Sequence, residues 1–530
     1  MLSLKKKFFQ VFLLIYFIFG SSVSVNNGIS FDEKYEQLNW NYNVSLIQSL
    51  SNKIIFDRKF DENIGKEYKR FLGYGIGFQI FSQPIQFFLK DFLVDKKNLD
   101  SEGALLISKH FVVFLFFFIS GIFFYLILRK IIDNEDFSRF GTIIYLTYPY
   151  LFGQAMFSPK DIPFMSIWVV CTYLIFNIFE KLLNNKNVNF KNIFIFSIFT
   201  SYLLSIRIAG ILIFIQYIFM FLIYINLPTI KLSTFVKKYY LKILFFLTNL
   251  IFFTFLFYPI FWTNPLLIVD AINLMSNHFN NVGTTTYGKI MYATNLPPTY
   301  LPIWFSVKIP VIILLGIILI PFSEKKIFLN NQKSIFYGSI LLTVVTVPLI
   351  FILSKTHLYD ELRQVMFLFP LIFILGLVSL YTFSKRFFYI LGVMTVCLFL
   401  IENIKNNPYQ YVWFNLPSRA VDLTNKFELE YQGLSGREIS KHIASLDNQN
   451  LCVLVNPIHS VKHFLKNTGF NCFDIWQKID TDFPRPFLAV QHVRNLKKGE
   501  PYKCELIHEE GFYLLFHKKK FVTAKLLRCN

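Results

Sequence analysis

Long apolar runs, broken by short polar turns, occupy most of residues 1–402. A membrane-spanning helix needs roughly 20 apolar residues to cross about 30 Å of hydrocarbon, and the runs meet or approach that length. The pattern therefore predicts an α-helical polytopic membrane protein with about 11 spans. The runs lie at 8–24, 105–128, 139–157, 162–180, 193–206, 208–226, 241–260, 301–320, 335–354, 364–383 and 387–402.

Basic residues at alternate turns predict the orientation of these helices. If the N-terminus, with its lysines at 5–7, is cytoplasmic, every basic cluster at a short turn also falls on the cytoplasmic side, as the positive-inside rule requires. The loops 25–104 and 261–300 and the tail 403–530 then lie outside. The basic clusters are Arg129 with Lys130, Lys181 with Lys186, Lys237 with Lys238, Lys325 with Lys326, and Lys385 with Arg386.

Two places in the pattern allow an alternative. The apolar stretch 193–227 can form one long helix or two short helices broken near Arg207. One helix would put the later basic turns outside, so the charge pattern favours two. The first run follows three lysines and precedes Gly20, Ser21 and Ser22, so a cleaved signal peptide is the alternative to a first span.

After Glu402 the apolar runs shorten and polar turns appear, which predicts a small extracytoplasmic α/β domain at 403–530 behind the membrane domain at 1–402. Ser435 and Glu438 have the spacing of a capping box that would start a helix reaching about Leu446. Cys452 and Cys472 are a candidate disulfide pair, although spacing alone does not establish the bond. The other predicted elements are a helix at 459–466 and strands at 451–455, 487–493, 502–508 and 512–518.

The composition agrees with a lipid environment and argues against nucleic-acid binding. The chain has 530 residues, of which 54% are hydrophobic and 16% charged, and its mean hydropathy is +0.46. Its net charge is +20, but the basic residues cluster at the ends of apolar runs instead of along one amphipathic face. The six cysteines form no CxxC pattern of the kind that binds zinc.

Charged residues at the outer ends of the runs are the first candidates for chemistry. Asp32 and Glu33 follow the first run, and a carboxylate pair at a membrane surface suits general-base work or binding of a divalent cation. Lys160 and Asp161 lie in a proline-flanked turn at the level of phosphate headgroups. Arg207 interrupts an apolar stretch, where a charge usually faces a cavity or a partner. The alternatives are solvated loop charges, a plain turn, and a snorkelling boundary residue.

The turn at 355–364 is the second candidate, because it combines acids, cations and a histidine between two runs. Arg363 suits a two-pronged contact with phosphate, and Asp360 and His357 stand beside it in the sequence. An interfacial anchor is the alternative. His278 has no second metal-type ligand at helical spacing, so it is a candidate only for a proton or phosphate contact.

These residues, in this order and on this side, resemble the membrane-embedded glycosyltransferases of the GT-C class. They resemble in particular the bacterial family 39 relatives of dolichyl-phosphate-mannose protein mannosyltransferase. The resemblance extends from near the N-terminus into the tail. It rests on Asp32-Glu33 and on the segments Phe157–Phe164, Leu204–Arg207, Leu358–Arg363, Asn407–Tyr411 and Tyr431–Ser435.

The resemblance implies a GT-C-like fold in a bacterial plasma membrane and transfer of a sugar from a polyprenyl-phosphate donor to an acceptor outside, with inversion. It leaves open whether the acceptor is a lipid, a glycan or a protein, and whether a divalent cation takes part. It implies Asp32 as the base, Glu33 as a residue that positions the acceptor or a metal, and Asp161 as a second acidic contact. The candidate phosphate-binding cations are Lys160, Arg207 and Arg363.

A transporter or flippase for lipid-linked sugars is the main competing hypothesis. Transporters place ionisable groups near the middle of the membrane and often contain internal repeats. Here Arg207 alone is deeply placed in an apolar stretch, and the two halves show no convincing repeat. The pattern therefore favours an enzyme, and a non-catalytic assembly protein with the same fold is a third hypothesis.

Overall fold

The computed structural model describes residues 6–56, 71–97, 99–228, 230–276, 282–446, 451–466, 468–475, 485–496 and 504–529. Most of these residues are helical, and a sheet forms near the C-terminus. The predicted class, a helical multi-pass membrane protein with a small α/β region at its C-terminus, is confirmed.

Helices follow one another closely along most of the chain. They are α1 (Lys6–Ser24), α2 (Glu33–Phe56), α3 (Gly77–Lys97), α4 (Ser101–Ile131), α5 (Glu135–Thr147), α6 (Pro149–Gln154), α7 (Asp161–Leu183), α8 (Phe190–Ile206), α9 (Ile213–Ile225), α10 (Leu232–Leu256), α11 (Leu267–Ser276), α12 (Tyr300–Lys308), α13 (Val311–Ile318), α14 (Ile320–Phe328), α15 (Asn331–Leu353), α16 (Phe369–Phe383), α17 (Lys385–Lys405), α18 (Leu423–Lys426), α19 (Gly436–Ala444), α20 (His459–Lys462) and α21 (Val493–Leu496).

Eight helical segments in the described ranges are long and apolar enough to cross a membrane. Six of them are α1, α4, α7, α10, α15 and α17. The other two each join a 3-10 turn to an α-helix, namely Ile208–Leu212 with α9 and Arg363–Leu368 with α16. A ninth span results if α12 and α13, which are bent by 118° relative to each other, are counted as one.

Two of the predicted spans are shorter helices than the hydropathy pattern suggested. The run at 139–157 is divided into α5 and α6, since Pro149 disfavours a helical conformation at Tyr148 (φ −60°, ψ 116°). The 13 residues of α5 extend about 20 Å, less than the thickness of a hydrocarbon core. The run at 193–206 corresponds to α8, which has 17 residues.

The break predicted near Arg207 is confirmed. Helix α8 ends at Ile206, and Arg207 is extended, with φ −148° and ψ 135°. The chain then continues through a 3-10 turn into α9. Because of this break, Arg207 lies at the end of a helix and not in the middle of a long one.

The predicted loops contain secondary structure of their own. Helices α2 and α3 occupy much of 25–104, and the segment 261–300 contains α11 and a hairpin of β1 (Gly283–Thr286) and β2 (Lys289–Tyr292). The amide of Glu428 donates to Thr285 O at 2.8 Å, and the amide of Thr285 donates to the Glu428 carboxylate at 2.9 Å. The hairpin is therefore joined to the segment that follows the last span.

The C-terminal region contains a mixed five-stranded sheet in the order β4-β3-β5-β7-β6. The strands are β3 (Val453–Val455), β4 (Phe473–Asp474), β5 (Phe487–His492), β6 (Cys504–Phe512) and β7 (Phe521–Cys529). Strand β3 is parallel to β4 and β5, whereas β7 is antiparallel to β5 and β6. Disulfides join Cys452 to Cys472, the candidate pair, and Cys504 to Cys529.

Three local predictions for this region are wrong in detail. The segment 512–518 contains a turn with Phe516 at φ 63°, and the last strand is β7 instead. The capping box is absent: Ser435 is helical and makes no side-chain cap, and its Oγ lies 3.1 Å from Nδ1 of His492. The helix predicted at 459–466 has only the four residues of α20. In these places a turn, or a contact between residues far apart in the sequence, forms instead of the structure that the local pattern predicts.

The segment after α17 packs on the same end of the helix bundle as the hairpin. The Trp413 ring meets Tyr148 edge-on at 5.1 Å, and Phe427 meets Trp304 at 5.2 Å. The amide of Phe31 donates to Gln432 O at 2.9 Å, just after α1. The Phe31 ring also meets His492 of β5 at 5.4 Å, so the C-terminal sheet lies beside the chain segment that carries Asp32.

Candidate functional site

Five candidate residues from four separate places in the sequence converge at one end of the helix bundle. Asp32 lies between α1 and α2, Lys160 and Asp161 lie at the start of α7, Arg207 follows α8, and Arg363 precedes α16. The contacts among them, described below, put these four helix ends on one side of the protein. We refer to these five residues, together with Glu36, Asp360 and Arg494, as the charged cluster.

Arg363 is at the centre of the charged cluster. Its guanidinium forms an ion pair with Asp32, places Nε 2.7 Å from Asp161 Oδ2, and places Nη1 3.2 Å from Asp360 Oδ2. Arg207 approaches the same Asp161 carboxylate from the other side, with Nη2 2.5 Å from Oδ1. A planar guanidinium suits several carboxylates at once, so Arg363 holds the residues of three chain segments in a defined arrangement.

Lys160 occupies an aromatic pocket at the edge of the charged cluster. Its Nζ lies 2.7 Å from Glu36 Oε1, 3.8 Å from the ring centre of Tyr74 and 4.9 Å from that of Tyr35. Both rings attract the ammonium group. Burial nevertheless lowers the pKa of Lys160 to about 7, and the nearby guanidinium groups of Arg207 and Arg363 contribute in the same direction. Its charge is therefore sensitive to pH near neutrality.

Asp32 is the accessible carboxylate of the charged cluster. Its side chain is 34% exposed, compared with 0% for Asp161, 3% for Glu36 and 5% for Asp360. Burial alone would raise the pKa of Asp32, but the positive charges of Arg363, Lys160 and Arg207 outweigh it and lower the pKa. Asp32 is thus ionised at neutral pH and reachable by a ligand.

The turn that carries Asp360 adopts a strained backbone. Asp360 and Glu361 have φ values of 54° and 64°, a region that side-chain-bearing residues rarely occupy. Hydrogen bonds from the surrounding structure stabilise this shape: the amide of Asp360 donates to Thr284 Oγ1 at 2.9 Å, and the hydroxyl of Tyr300 donates to Glu361 O at 3.1 Å. Arg494 from α21 adds an ion pair to Asp360 at 2.9 Å. The strain is confined to a turn that orients one acid of the charged cluster.

Glu33, predicted as the partner of Asp32, makes a different set of contacts. Its side chain is fully buried, with Oε2 2.8 Å from His110 Nε2 and Oε1 accepting a 2.6 Å hydrogen bond from the amide of Ser30. The first turn of α2 is therefore attached to α4 through Glu33 and His110. The structure brings Asp32, but not the Glu33 carboxylate, to the charged cluster.

The two candidate histidines are placed differently from the charged cluster. His357 lines a mostly apolar cleft of about 230 Å³, together with Arg207, Leu212 and Phe351. His278 lies outside the described residues. Among the residues that the structure describes, His357 therefore belongs to a cleft adjoining the charged cluster and not to its ion-pair network.

Three functional candidates were missed by the sequence analysis. Glu36 follows Asp32 by four residues, so the i, i+4 spacing of a helix starting at Glu33 could have revealed it. Tyr74 and Arg494 carry no comparable local pattern. They reach Lys160 and Asp360 only through tertiary contacts.

The carboxylates of the charged cluster are already paired with positively charged side chains of the protein. Within the described ranges, each of its acids, Asp32, Glu36, Asp161 and Asp360, forms an ion pair with a lysine or arginine. Oxygen ligands suitable for Mg²⁺ are present, but each one faces a fixed cation. The arrangement is better suited to an anionic ligand that exchanges places with one of these carboxylates.

Comparisons with known proteins add a distant structural similarity. No protein-family model matches the chain, and no curated protein matches it. Among solved structures, ArnT from Cupriavidus metallidurans in the apo state is similar over 84% of this chain and 87% of that chain, with 10% identity and a TM-score of 0.43. ArnT from the same organism bound to undecaprenyl phosphate is similar over 98% and 97% of the two chains, with 9% identity and a TM-score of 0.47.

Proposed function

We propose that this protein is a GT-C-like membrane glycosyltransferase that moves a sugar from a polyprenyl-phosphate donor to an acceptor on the extracytoplasmic face. The observation that carries the proposal is the position of Asp32. An ionised, accessible carboxylate stands among three buried cations at the ends of membrane-spanning helices, beside an apolar cleft. These are the groups that a base-assisted transfer from a lipid phosphate requires.

Arg207 and its neighbours are suited to the donor phosphate. Arg207 is 7% exposed, and its Nε has no hydrogen-bond partner in the described structure. Since buried polar groups are normally hydrogen-bonded, this N–H is a donor available to a phosphate oxygen. The same residue lines the apolar cleft, so a phosphate held by Arg207 would place the first isoprene units at the cleft.

The proposed reaction gives each of these side chains a role. Asp32 accepts the proton of the acceptor hydroxyl while that oxygen attacks the anomeric carbon of the sugar. The bond between this carbon and the phosphate oxygen breaks, and the polyprenyl phosphate leaves with the bonding electrons. Arg207, Arg363 and Lys160 stabilise the charge that develops on the leaving phosphate, more strongly in a low-dielectric site than in water. A single displacement of this kind inverts the configuration at the anomeric carbon.

The remaining acids position the reacting groups. Asp161 binds both Arg207 and Arg363, so it is a second acidic contact that keeps the two guanidinium groups together. Glu33 acts as a positioning residue, because its bonds to Ser30 and His110 set the start of α2 immediately after Asp32. The acceptor class and the sugar are left open by this arrangement.

The transporter hypothesis is less well supported by the same observations. It predicts ionisable groups near the middle of the membrane. Arg207 instead lies at the end of α8 and pairs with Asp161 at the start of α7. A group in that position suits a reaction at the membrane boundary better than transport through its centre.

The decisive experiment compares the Asp32→Asn variant with wild type in lipid nanodiscs. The assay supplies radiolabelled polyprenyl-phosphate sugars and membrane extract as a source of acceptor. We expect Asp32→Asn to lose about 10²–10⁴-fold in turnover, since general-base catalysis contributes that much. Donor binding, measured by retention of the labelled carrier, should persist.

Asp133→Asn is the matched control. Asp133 lies just after the C-terminal end of α4, whereas His110, which contacts Glu33, is near the N-terminal end, and the Asp133 side chain is 95% exposed. This variant should transfer sugar at the wild-type rate. Full activity in Asp32→Asn would remove Asp32 as the base. A wild-type protein that neither transfers label nor retains the carrier would contradict the glycosyltransferase proposal as a whole.

A further inference from the structure

A second group of reactive side chains lies in the C-terminal region, apart from the charged cluster. His442 is in the last turn of α19, and His508 and Glu510 are in β6. One ligand atom of each residue lies within 4.8 Å of the others. His508 and Glu510 are two residues apart on a strand, so both side chains point to the same face, and α19 packs against that strand.

The three side chains are held in a compact arrangement. The rings of His442 and His508 stack with centroids 3.5 Å apart, and His508 Nε2 lies 3.4 Å from Glu510 Oε2. The other carboxylate oxygen, Oε1, accepts a 3.0 Å hydrogen bond from the Tyr409 hydroxyl. A hydrogen bond of this kind fixes a carboxylate so that its free oxygen is directed at a ligand.

We propose that His442, His508 and Glu510 bind a divalent transition-metal ion, with Zn²⁺ as the preferred ion and water as the fourth ligand. Two imidazoles and one carboxylate form a ligand set that zinc uses in proteins. Tetrahedral bonds of about 2.0–2.1 Å separate neighbouring ligand atoms by about 3.4 Å. The His508–Glu510 pair already has this separation. The ligand atom of His442 lies within 4.8 Å of the other two, so it reaches the separation by a movement of at most about 1.4 Å together with a rotation of the stacked ring.

The solvent exposure of the site is consistent with one open coordination position. The side chains of His508 and Glu510 are 29% and 17% exposed. A metal ion there would be reachable from water and would keep a solvent ligand, unlike a closed site with four protein ligands. The site is distinct from the charged cluster, and the proposal does not depend on the glycosyltransferase assignment.

The ion would connect three parts of the C-terminal region. Helix α19 follows the segment Tyr431–Ser435, β6 belongs to the sheet, and Tyr409 follows the last span. A metal bound by α19 and β6 would fix the helix on the sheet and, through Tyr409, fix both relative to α17. We therefore assign the ion a role in stabilising the C-terminal region.

The test uses the full chain in nanodiscs, purified with an affinity tag that contains no histidine and stripped with a chelator. Zn²⁺ is added at micromolar free concentration, bound zinc is counted by mass spectrometry, and the unfolding temperature is recorded. We expect about one zinc per chain and a higher unfolding temperature with zinc, because an ion that binds only the folded state stabilises it. Co²⁺, used as a spectroscopic probe, should give the visible absorption of a tetrahedral site.

Three variants separate a built site from adventitious binding. His442→Gln and His508→Gln should each weaken zinc binding at least 100-fold and lose the zinc-dependent rise in unfolding temperature. His517→Gln is the matched control, since His517 is half-buried in the same region and its Nδ1 contacts the backbone at Lys519. It should bind as wild type does.

A cooperative unfolding transition, recorded for each variant without metal, shows that the variant is folded. If a variant does not fold, the cobalt spectrum of the wild type decides the question alone. A wild-type spectrum without tetrahedral absorption, no zinc bound at micromolar concentration, or equal binding in His508→Gln and His517→Gln would each overturn the proposal.

Discussion

At the scale of single residues, the cations proposed to contact the donor phosphate, Lys160, Arg207 and Arg363, are not equivalent. The guanidinium of Arg207 contacts one carboxylate, that of Asp161, and the guanidinium of Arg363 contacts three, those of Asp32, Asp161 and Asp360. Guanidinium groups keep their charge over the pH range in which proteins are stable. Lys160 is a point charge between two aromatic rings, with its pKa lowered to about 7 by burial. Lysine is the cation of this set that can lose its charge near neutral pH, so the proposed function predicts that donor binding depends on pH.

We predict that the KM for the polyprenyl-phosphate donor rises as the pH increases through about 7. Lys160 is protonated below its pKa, so its attraction for phosphate is present at pH 6 and lost by pH 8. The Lys160→Arg variant should show a nearly flat KM over that range. The measurement is the donor KM from initial rates at several pH values, with acceptor saturating.

Two results would contradict this prediction. One is a wild-type KM that does not change between pH 6 and pH 8. The other is a slope that persists in Lys160→Arg, since the titrating group would then be a different one.

At the scale of secondary-structure elements, the ends of helices carry the site, and buried polar contacts set where those ends lie. The break at Arg207 separates α8 from the following 3-10 turn, and Pro149 separates α5 from α6. The strained turn at Asp360 and Glu361 joins α15 to the start of the span that carries Arg363. Each break directs a polar side chain or a backbone turn toward the same end of the bundle.

The end of α17 is attached to the next segment by a buried ion pair. Arg419 pairs with Glu402, and both side chains are almost completely buried. Glu402 also accepts a 2.5 Å hydrogen bond from the indole of Trp413. These two contacts join the segment after the last span to the end of α17.

We predict that Glu402→Gln lowers the free energy of unfolding by about 3–5 kcal/mol, because Arg419 would remain charged and buried without its carboxylate. The measurement is thermal or denaturant unfolding in detergent. Glu438→Gln is the control, as its partner Lys441 is 62% exposed and such surface pairs contribute about 0–1 kcal/mol. Equal losses in the two variants would show that the buried pair has no special importance.

At the scale of the whole molecule, the C-terminal sheet and the charged cluster share one end of the helix bundle. Arg494 of α21 pairs with Asp360, and the amide of Phe31 donates to Gln432 O. The same sheet contains two disulfides, which persist in oxidising compartments. The disulfides agree with the extracytoplasmic side expected from the basic turns, and the contacts put the charged cluster on the same side as the sheet.

We predict that Cys472 in the C-terminal region becomes accessible to a membrane-impermeant maleimide in intact spheroplasts, but only after reduction of its disulfide with Cys452. Cys472 is exposed whereas Cys452 is buried, so Cys472 reports on the side of the membrane that holds the charged cluster. Lys186→Cys, in a turn expected to be cytoplasmic, should react only after the membrane is permeabilised. Labelling is measured as a shift in gel mobility with a large maleimide reagent.

The opposite pattern would reverse the topology. If Lys186→Cys reacted in intact spheroplasts and the C-terminal cysteines required permeabilisation, the charged cluster would face the cytoplasm. The proposed extracytoplasmic reaction would then be wrong.

Much of this architecture follows from local pattern. Apolar runs of sufficient length form membrane helices because backbone groups in lipid must bond within the segment, so hydropathy alone locates most spans. The basic turns after 193–227 fall on the cytoplasmic side only if this stretch forms two helices, so the charge pattern predicts the break near Arg207 that the structure shows. Charges at consecutive outer helix ends were likewise visible in the sequence as one set, namely Asp32, Lys160, Asp161, Arg207 and Arg363.

The sequence by itself determined the membrane class, most of the spans and which charged residues lie at one end of them. Only the tertiary structure decided which carboxylate is accessible: Asp32 and Glu33 are adjacent, yet one faces the cations and the other is buried against His110. It also supplied Arg494, the second disulfide and the last strand. The physical reason is that hydropathy is a property of neighbouring residues, whereas a side chain's direction and partner depend on packing between segments hundreds of positions apart.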